Sequence, residues 1–258
     1  MMIKRVSVEI ELNAYRTLRI VFWGLVAFEI LLFMLDGFVS YVKVVGDYGN
    51  VHRITNLTRE DSIGTWFACL QAFWVSMAFL AVGLVQRTLG SPEWKRWCWF
   101  LLALFFFYVS VDDGSKIHER VGSMAGELLE EKGGEDHPLL NFPTYYWHMV
   151  YMPAFFFIGL FIFGFLWVEL KTMAARLTLL AALGFYVLSQ GLDFLEEIEP
   201  VQEAVQDFFD ASEYTVLHFS KISEELMEMV GTTFFLIMPL KYLIDRLADL
   251  RVRFLLPD

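Results

Sequence analysis

Sulfur and clustered positive charge are both scarce in this chain. Its 258 residues include two cysteines, Cys69 and Cys98, both inside long apolar runs. A disulfide framework is therefore not expected, and C-x-x-C metal or redox motifs are absent. Lys and Arg number 20 against 31 Asp and Glu, a net charge of −11. No basic cluster is present to neutralise phosphates, so nucleic acid is excluded as a partner. The first residues lack the charged-then-apolar layout of a cleavable signal, and the first apolar run is expected to act as an uncleaved insertion signal. There is no low-complexity segment and no clear internal repeat.

What is abundant is apolar surface. Hydrophobic residues make up 57% of the chain and aromatics 17%, and mean hydropathy is positive. Several runs are long enough to cross a hydrocarbon layer of about 30 Å. The expected fold is all-α: a single polytopic helical bundle with six spans, at about 19–42, 63–85, 97–117, 145–168, 175–197 and 214–243. Gly90-Ser-Pro92 closes the second span, and Pro153 is expected to kink the fourth. The third helix is expected to continue beyond the membrane through Glu131, until Gly133-Gly134 and Pro138 break it. Residues 201–215 read as an acidic interfacial segment with apolar spacing.

Most of the Lys and Arg residues near span ends fall on one side, in the N-terminal tail, the second-to-third and fourth-to-fifth loops and the C-terminal tail. That side is expected to be cytoplasmic, with both termini inside. The third and fifth spans then run outward and the sixth inward. Three acidic stretches come to one level on the outer side: Asp112-Asp113…His118-Glu119, Gln190-Gly-Leu-Asp193…Glu196-Glu197, and His218…Lys221…Glu224-Glu225…Glu228. All five histidines (His52, His118, His137, His148 and His218) fall on the same side.

Ionisable groups in or near a span are expensive and read as functional by default. Residues three, four and seven apart share a helix face. Asp112, Ser115 or Lys116, and Glu119 make one stripe. Gln190, Asp193 and Glu197 make a second, flanked by Glu196. His218, Lys221, Glu225 and Glu228 make a third, with Glu224 beside it. So many carboxylates are not all ionised near a bilayer without cations or protons. Lys116, Arg120 and Lys221 offset part of that charge.

Carboxylates and histidines projecting inward from neighbouring helices are the ingredients of dinuclear iron or manganese sites and of zinc sites with an open position. The expected ligand pool for divalent metal is Asp112, Glu119, Asp193, Glu197, His218, Glu225 and Glu228. His118 is expected to be catalytic, as ligand or proton carrier. The Glu-x-x-His spacing usual in such sites is absent, so iron, manganese and zinc stay open. The aromatic third span (Trp97, Trp99, Phe105, Phe106, Phe107, Tyr108) either walls a lipid-facing pocket or serves packing and lipid contact. Asp113, Arg120, Glu127, Glu130 and Glu131 read as a solvated helix extension. His137 and His52 read as loop residues, and His148 as part of an interfacial aromatic belt. Glu29 and Asp36 stand inside the first span, where a carboxylate must be protonated, paired or facing a polar cavity.

Ser110-Val-Asp-Asp…His118-Glu119, followed by Glu224-Glu225-Leu-Met-Glu228-Met-Val-Gly231, resembles a pattern in multi-pass proteins of bacteria and archaea. They carry a Leu-Asp-Glu then His-Glu element and a later Glu-Glu-x-x-Glu-x-x-Gly element; Asp113 stands where they have Glu. The resemblance implies a bacterial or archaeal cytoplasmic membrane and brings no activity with it, while the Lys and Arg distribution puts the site on the extracytoplasmic side. Intramembrane zinc hydrolases of the alkaline-ceramidase and adiponectin-receptor type share the architecture only, since their His-x3-His element is missing here.

Three functions remain. One is a metal-dependent oxidoreductase or hydrolase acting on a lipid or small apolar substrate. The second is a proton or cation transporter using Glu29, Asp36 and the acidic stretches. The third is a non-catalytic subunit of a larger membrane complex. The expected partners are the lipid bilayer and other membrane proteins or further copies of this chain.

Overall fold

A computed structural model describes residues 13–42, 49–133, 139 and 144–247. Among the described residues there are nine helices and no strand: α1 (Ala14–Tyr41), α2 (Gly49–Thr55), α3 (Ile63–Thr88), α4 (Glu93–Ser115), α5 (Ile117–Gly133), α6 (Tyr146–Glu169), α7 (Met173–Glu196), α8 (Glu199–Phe209) and α9 (Glu213–Leu247). Six of them, α1, α3, α4, α6, α7 and α9, are long and apolar enough to cross a membrane. The chain is thus an all-α membrane-type bundle. His137 and both chain ends lie outside the described residues.

Three helix starts, those of α1, α3 and α7, carry a side-chain cap. Asn13, Ser62 and Thr172 accept from the backbone N–H of Arg16, Thr65 and Ala175 at 3.1, 3.2 and 3.2 Å. Each satisfies one of the orphan donors of a first turn. α8 covers residues 201–209 of the acidic segment expected at 201–215, the remainder of which leads into α9, and Phe208 and Phe209 on it are exposed. α6 runs through Pro153 as a single helix.

α9 is the central element and packs on α1, α3, α7 and α8, while α3 packs on α4 and α5 on α6. Lipid tails are as apolar as leucine, so close packing rather than hydrophobicity holds such helices together. Two glycines show this. A Cβ on Gly231 would stand 2.9 Å from the Tyr186 ring and 3.3 Å from Ala182 O, so α9 and α7 approach closely there. A Cβ on Gly122 would stand 2.5 Å from Trp147 N, which brings α5 onto the backbone of α6.

Away from the acidic stretches the core is apolar and aromatic. Trp99 lies against Phe165 and Tyr242 at ring distances of 5.0 and 5.1 Å, and Phe106 against Phe79 and Phe235 at 5.5 and 4.9 Å. The aromatics of α4 therefore divide: Trp99 and Phe106 are buried, whereas Trp97 and Phe107 are exposed. Past this core a small polar group ties the opposite end together. Lys95 Nζ meets buried Glu169 at 2.8 Å, Tyr242 donates to Glu169 at 3.2 Å and Gln86 donates to Tyr242 at 2.7 Å.

One expectation about the helices is corrected. The third helix does not continue through Glu131. α4 stops at Ser115, Lys116 takes a left-handed conformation (φ 50°), and α5 starts afresh at Ile117. The Asp112–Glu119 stripe is therefore broken. Helical spacing cannot carry a face across a left-handed residue, which turns the chain.

Candidate functional site

The elbow between α4 and α5 is built around Asp112. Its backbone carbonyl accepts from Lys116 N–H at 2.6 Å, closing α4. Its carboxylate accepts from His118 N–H at 2.9 Å, capping α5, and meets His118 Nδ1 at 2.5 Å. Tyr108 donates to it at 3.2 Å. Burial alone would lower the His118 pKa, but the hydrogen bond and charge of Asp112 outweigh it and hold His118 above its ordinary 6.5. The His118 ring stands edge-on to Trp147 at 4.7 Å. Lys116 turns outward to Glu119 at 2.8 Å and Glu60 at 3.2 Å.

Facing the elbow, α9 presents Glu224, Glu225 and Glu228, all partly exposed. Glu228 accepts from Ser189 at 2.7 Å and from Gln190 at 3.1 Å, both on α7. Asp113 feels the charges of Glu228, Glu225 and Asp112. Glu224 feels those of Glu228, Asp193, Glu225 and Glu196. Glu228 in turn feels Asp193 and His118. Carboxylates from α4, α7 and α9 thus act on one another at one end of the bundle.

Two further groups flank them. Lys221 Nζ meets Glu196 at 2.8 Å, and Tyr145 donates to the same oxygen at 3.1 Å. Glu197 lies on the same phenol. His148, 1% exposed, stacks on Trp147 at 3.9 Å, and its Nε2 lies 3.2 Å from Asp193 Oδ2, without a hydrogen bond's alignment. On the α1 side, His218 Nε2 meets buried Asp36 at 3.0 Å. Ser40 and the Leu57 N–H each donate to Asp36 at 2.8 Å, and His52 Nε2 stands 3.4 Å from Ser40.

The ligand pool read from sequence is therefore distributed. His118, Asp112, Asp193, Glu225 and Glu228 come together. His218 is turned toward α1, while Glu119 and Glu197 are exposed at the rim, the first on Lys116 and the second beside Tyr145. Among the described residues, no group of three or more His, Cys, Asp or Glu side chains is placed to hold a metal ion.

Residues not expected at the site are Asp113, read as solvated; His148, read as an aromatic-belt residue; and Asp36 as the partner of His218. Asp113 had one available signal, its position in the resembling pattern. Asp36 had another, because a carboxylate inside a span needs a partner.

The chain matches the family described as "Domain of unknown function (DUF8692)" over residues 24–242. No curated protein and no solved structure matches it. The matched stretch runs from within α1 to within α9 and takes in every cluster above, so the chain belongs to the DUF8692 family.

Proposed function

We propose that this protein carries small cations or protons through the membrane, with the polar end of the bundle as the entry. The observation behind this reading is an excess of carboxylates over cations. Asp113, Glu224, Glu225 and Glu228, each partly exposed, crowd together at the polar end of the bundle. Lys116 and Lys221 act on Glu225, but each is paired at close range with another carboxylate, Lys116 with Glu119 and Glu60 and Lys221 with Glu196. Like charges this close in a poorly solvated region are held only with protons or cations among them. Below them lies the apolar aromatic core, as expected for a carrier open at one side. The distribution of Lys and Arg supports an outward-facing polar end.

A resident divalent metal fits less well, because among the described residues no three His, Cys, Asp or Glu side chains are placed to hold one. Metal analysis of the gently purified protein separates the two readings: stoichiometric iron, manganese or zinc that Asp193→Ala removes would favour the metal centre.

The test of transport is flux into proteoliposomes loaded with a pH-sensitive dye, driven by an imposed potential. Wild-type protein should conduct above empty vesicles, and Glu228→Gln should slow flux at least about tenfold, a barrier change of ~1.4 kcal/mol. Flux equal to that of empty vesicles would overturn the proposal.

A further inference from the structure

A second polar group lies deeper, away from the acidic end. Glu29 stands near the middle of the 28-residue α1 and is 0% exposed. It is two turns from Asp36 on the same helix face, about 10 Å along the axis. Three helices meet at it. Gln71 of α3 donates to Glu29 Oε1 at 2.7 Å, and Thr233 of α9 donates to the same oxygen at 2.5 Å. Gln71 Nε2 also lies 2.5 Å from Thr233 Oγ1.

This group is incomplete in a specific way. Glu29 Oε2 and Gln71 Oε1 are both buried and have no hydrogen-bond partner among the described residues. Gln71 is 3% exposed. Both unpartnered atoms are acceptors, so another acceptor cannot satisfy them; a cation can. The side chains acting on Glu29 are Thr233 and Gln71, both neutral. An ionised carboxylate with no counter-charge in the interior of a span costs several kcal/mol. The donor set of carboxylate, amide and hydroxyl oxygens suits a small hard ion and has no nitrogen or sulfur to select a softer metal.

We propose that Glu29, Gln71 and Thr233 form a binding site for one small monovalent cation, a proton or a sodium ion, in the middle of the membrane. Glu29 supplies the balancing charge, and Gln71 and Thr233 position it and complete the oxygen shell. This rests on the transport reading for its purpose: Glu29 is where a cation entering past Glu228 would stop, because Thr233 lies just beyond Glu228 and Thr232 on α9. Past Thr233, the buried α9 residues Phe235, Leu236 and Met238 belong to the apolar core.

Carbodiimide labelling of the full chain in detergent, read by mass spectrometry of the Glu29 peptide, tests this. The reagent adds to a carboxyl that carries a proton. Glu29 should be labelled faster on acidification. Sodium chloride, compared with choline chloride, should slow labelling at least about tenfold if sodium occupies the site, and should leave the rate unchanged if the site is for protons alone. Thr233→Val should change the acid dependence, and Thr233→Ser should restore it.

The proposal is overturned if acid leaves Glu29 unlabelled in a preparation in which Glu228 reacts. It is equally overturned if the labelling profile is identical in wild type, Thr233→Val and Gln71→Leu. Labelling as predicted but with no flux in proteoliposomes would keep this site and remove the transport reading. Flux with Glu29 unlabelled would do the reverse.

Discussion

Replacing Gly122 with alanine should loosen the polar end without touching a charged residue. Two effects compete. Alanine is the better helix former, by up to about 1 kcal/mol. Against this, the new methyl would stand 2.5 Å from Trp147 N, 2.6 Å from Trp147 Cβ and 2.8 Å from Trp147 Cα. Carbon contacts settle near 3.5 Å or more, so α5 must move off α6 by about 1 Å. Two of those three atoms are backbone and cannot rotate aside. Overpacking of this kind costs about 1–3 kcal/mol, so the clash wins. The displacement acts on the site, because His118 lies one turn before Gly122 on the same face, and its contacts with Asp112 (2.5 Å) and Trp147 (4.7 Å) depend on that docking. Losing the charged hydrogen bond adds about 1.5–3 kcal/mol. Thermal unfolding in detergent, followed by tryptophan fluorescence, should show a clear drop in melting temperature. Gly159→Ala in α6, whose methyl would meet nothing within 4 Å, should show none. A Gly122→Ala protein as stable as wild type would refute the close docking of α5 on α6.

The His118–Asp112 pair should give a pH signature. The folded His118 pKa lies above 6.5, so its stabilisation is complete below that value and is lost as pH rises through the folded value. Wild type should lose melting temperature on moving from mildly acidic to alkaline buffer, and His118→Gln should lack that part of the slope; parallel curves would contradict the pairing. Lys221→Gln should destabilise through the buried Glu196 carboxylate it leaves behind. Breaking a fully buried pair costs about 3–5 kcal/mol, and the half-exposed lysine brings this to the low end or below. Adding Glu196→Gln should recover much of the loss in a double-mutant cycle, and strict additivity would remove the ion pair from the account.

The spans and the meeting of the acidic stretches follow from long-range regularities in the sequence. Apolar runs fix the helices, and alternating direction then brings the ends of α4 and α7 to the start of α9. Glu228 on Ser189 and Gln190 is the contact that this reasoning implies. Finer placement was not legible, because it depends on single residues. Lys116 adopts a left-handed turn that its side chain does not announce, and that turn sends Glu119 to the rim. His148 has the surroundings of an interfacial belt residue, and burial beside Asp193 follows from how α6 meets α7. His218 reads as facing Glu225 along one stripe, yet Asp36 lies across from it on α1, and a periodicity within one helix carries no information about the neighbouring helix.

The central claim is that carboxylates at the polar end exchange protons or cations and are not locked in fixed ion pairs. Infrared difference spectroscopy between acidic and alkaline states measures this directly, because a protonated carboxyl absorbs apart from a carboxylate. The account predicts carboxyl bands that appear on acidification and lose one component in Glu228→Gln and another in Glu225→Gln. A difference spectrum identical in wild type and both variants would contradict it.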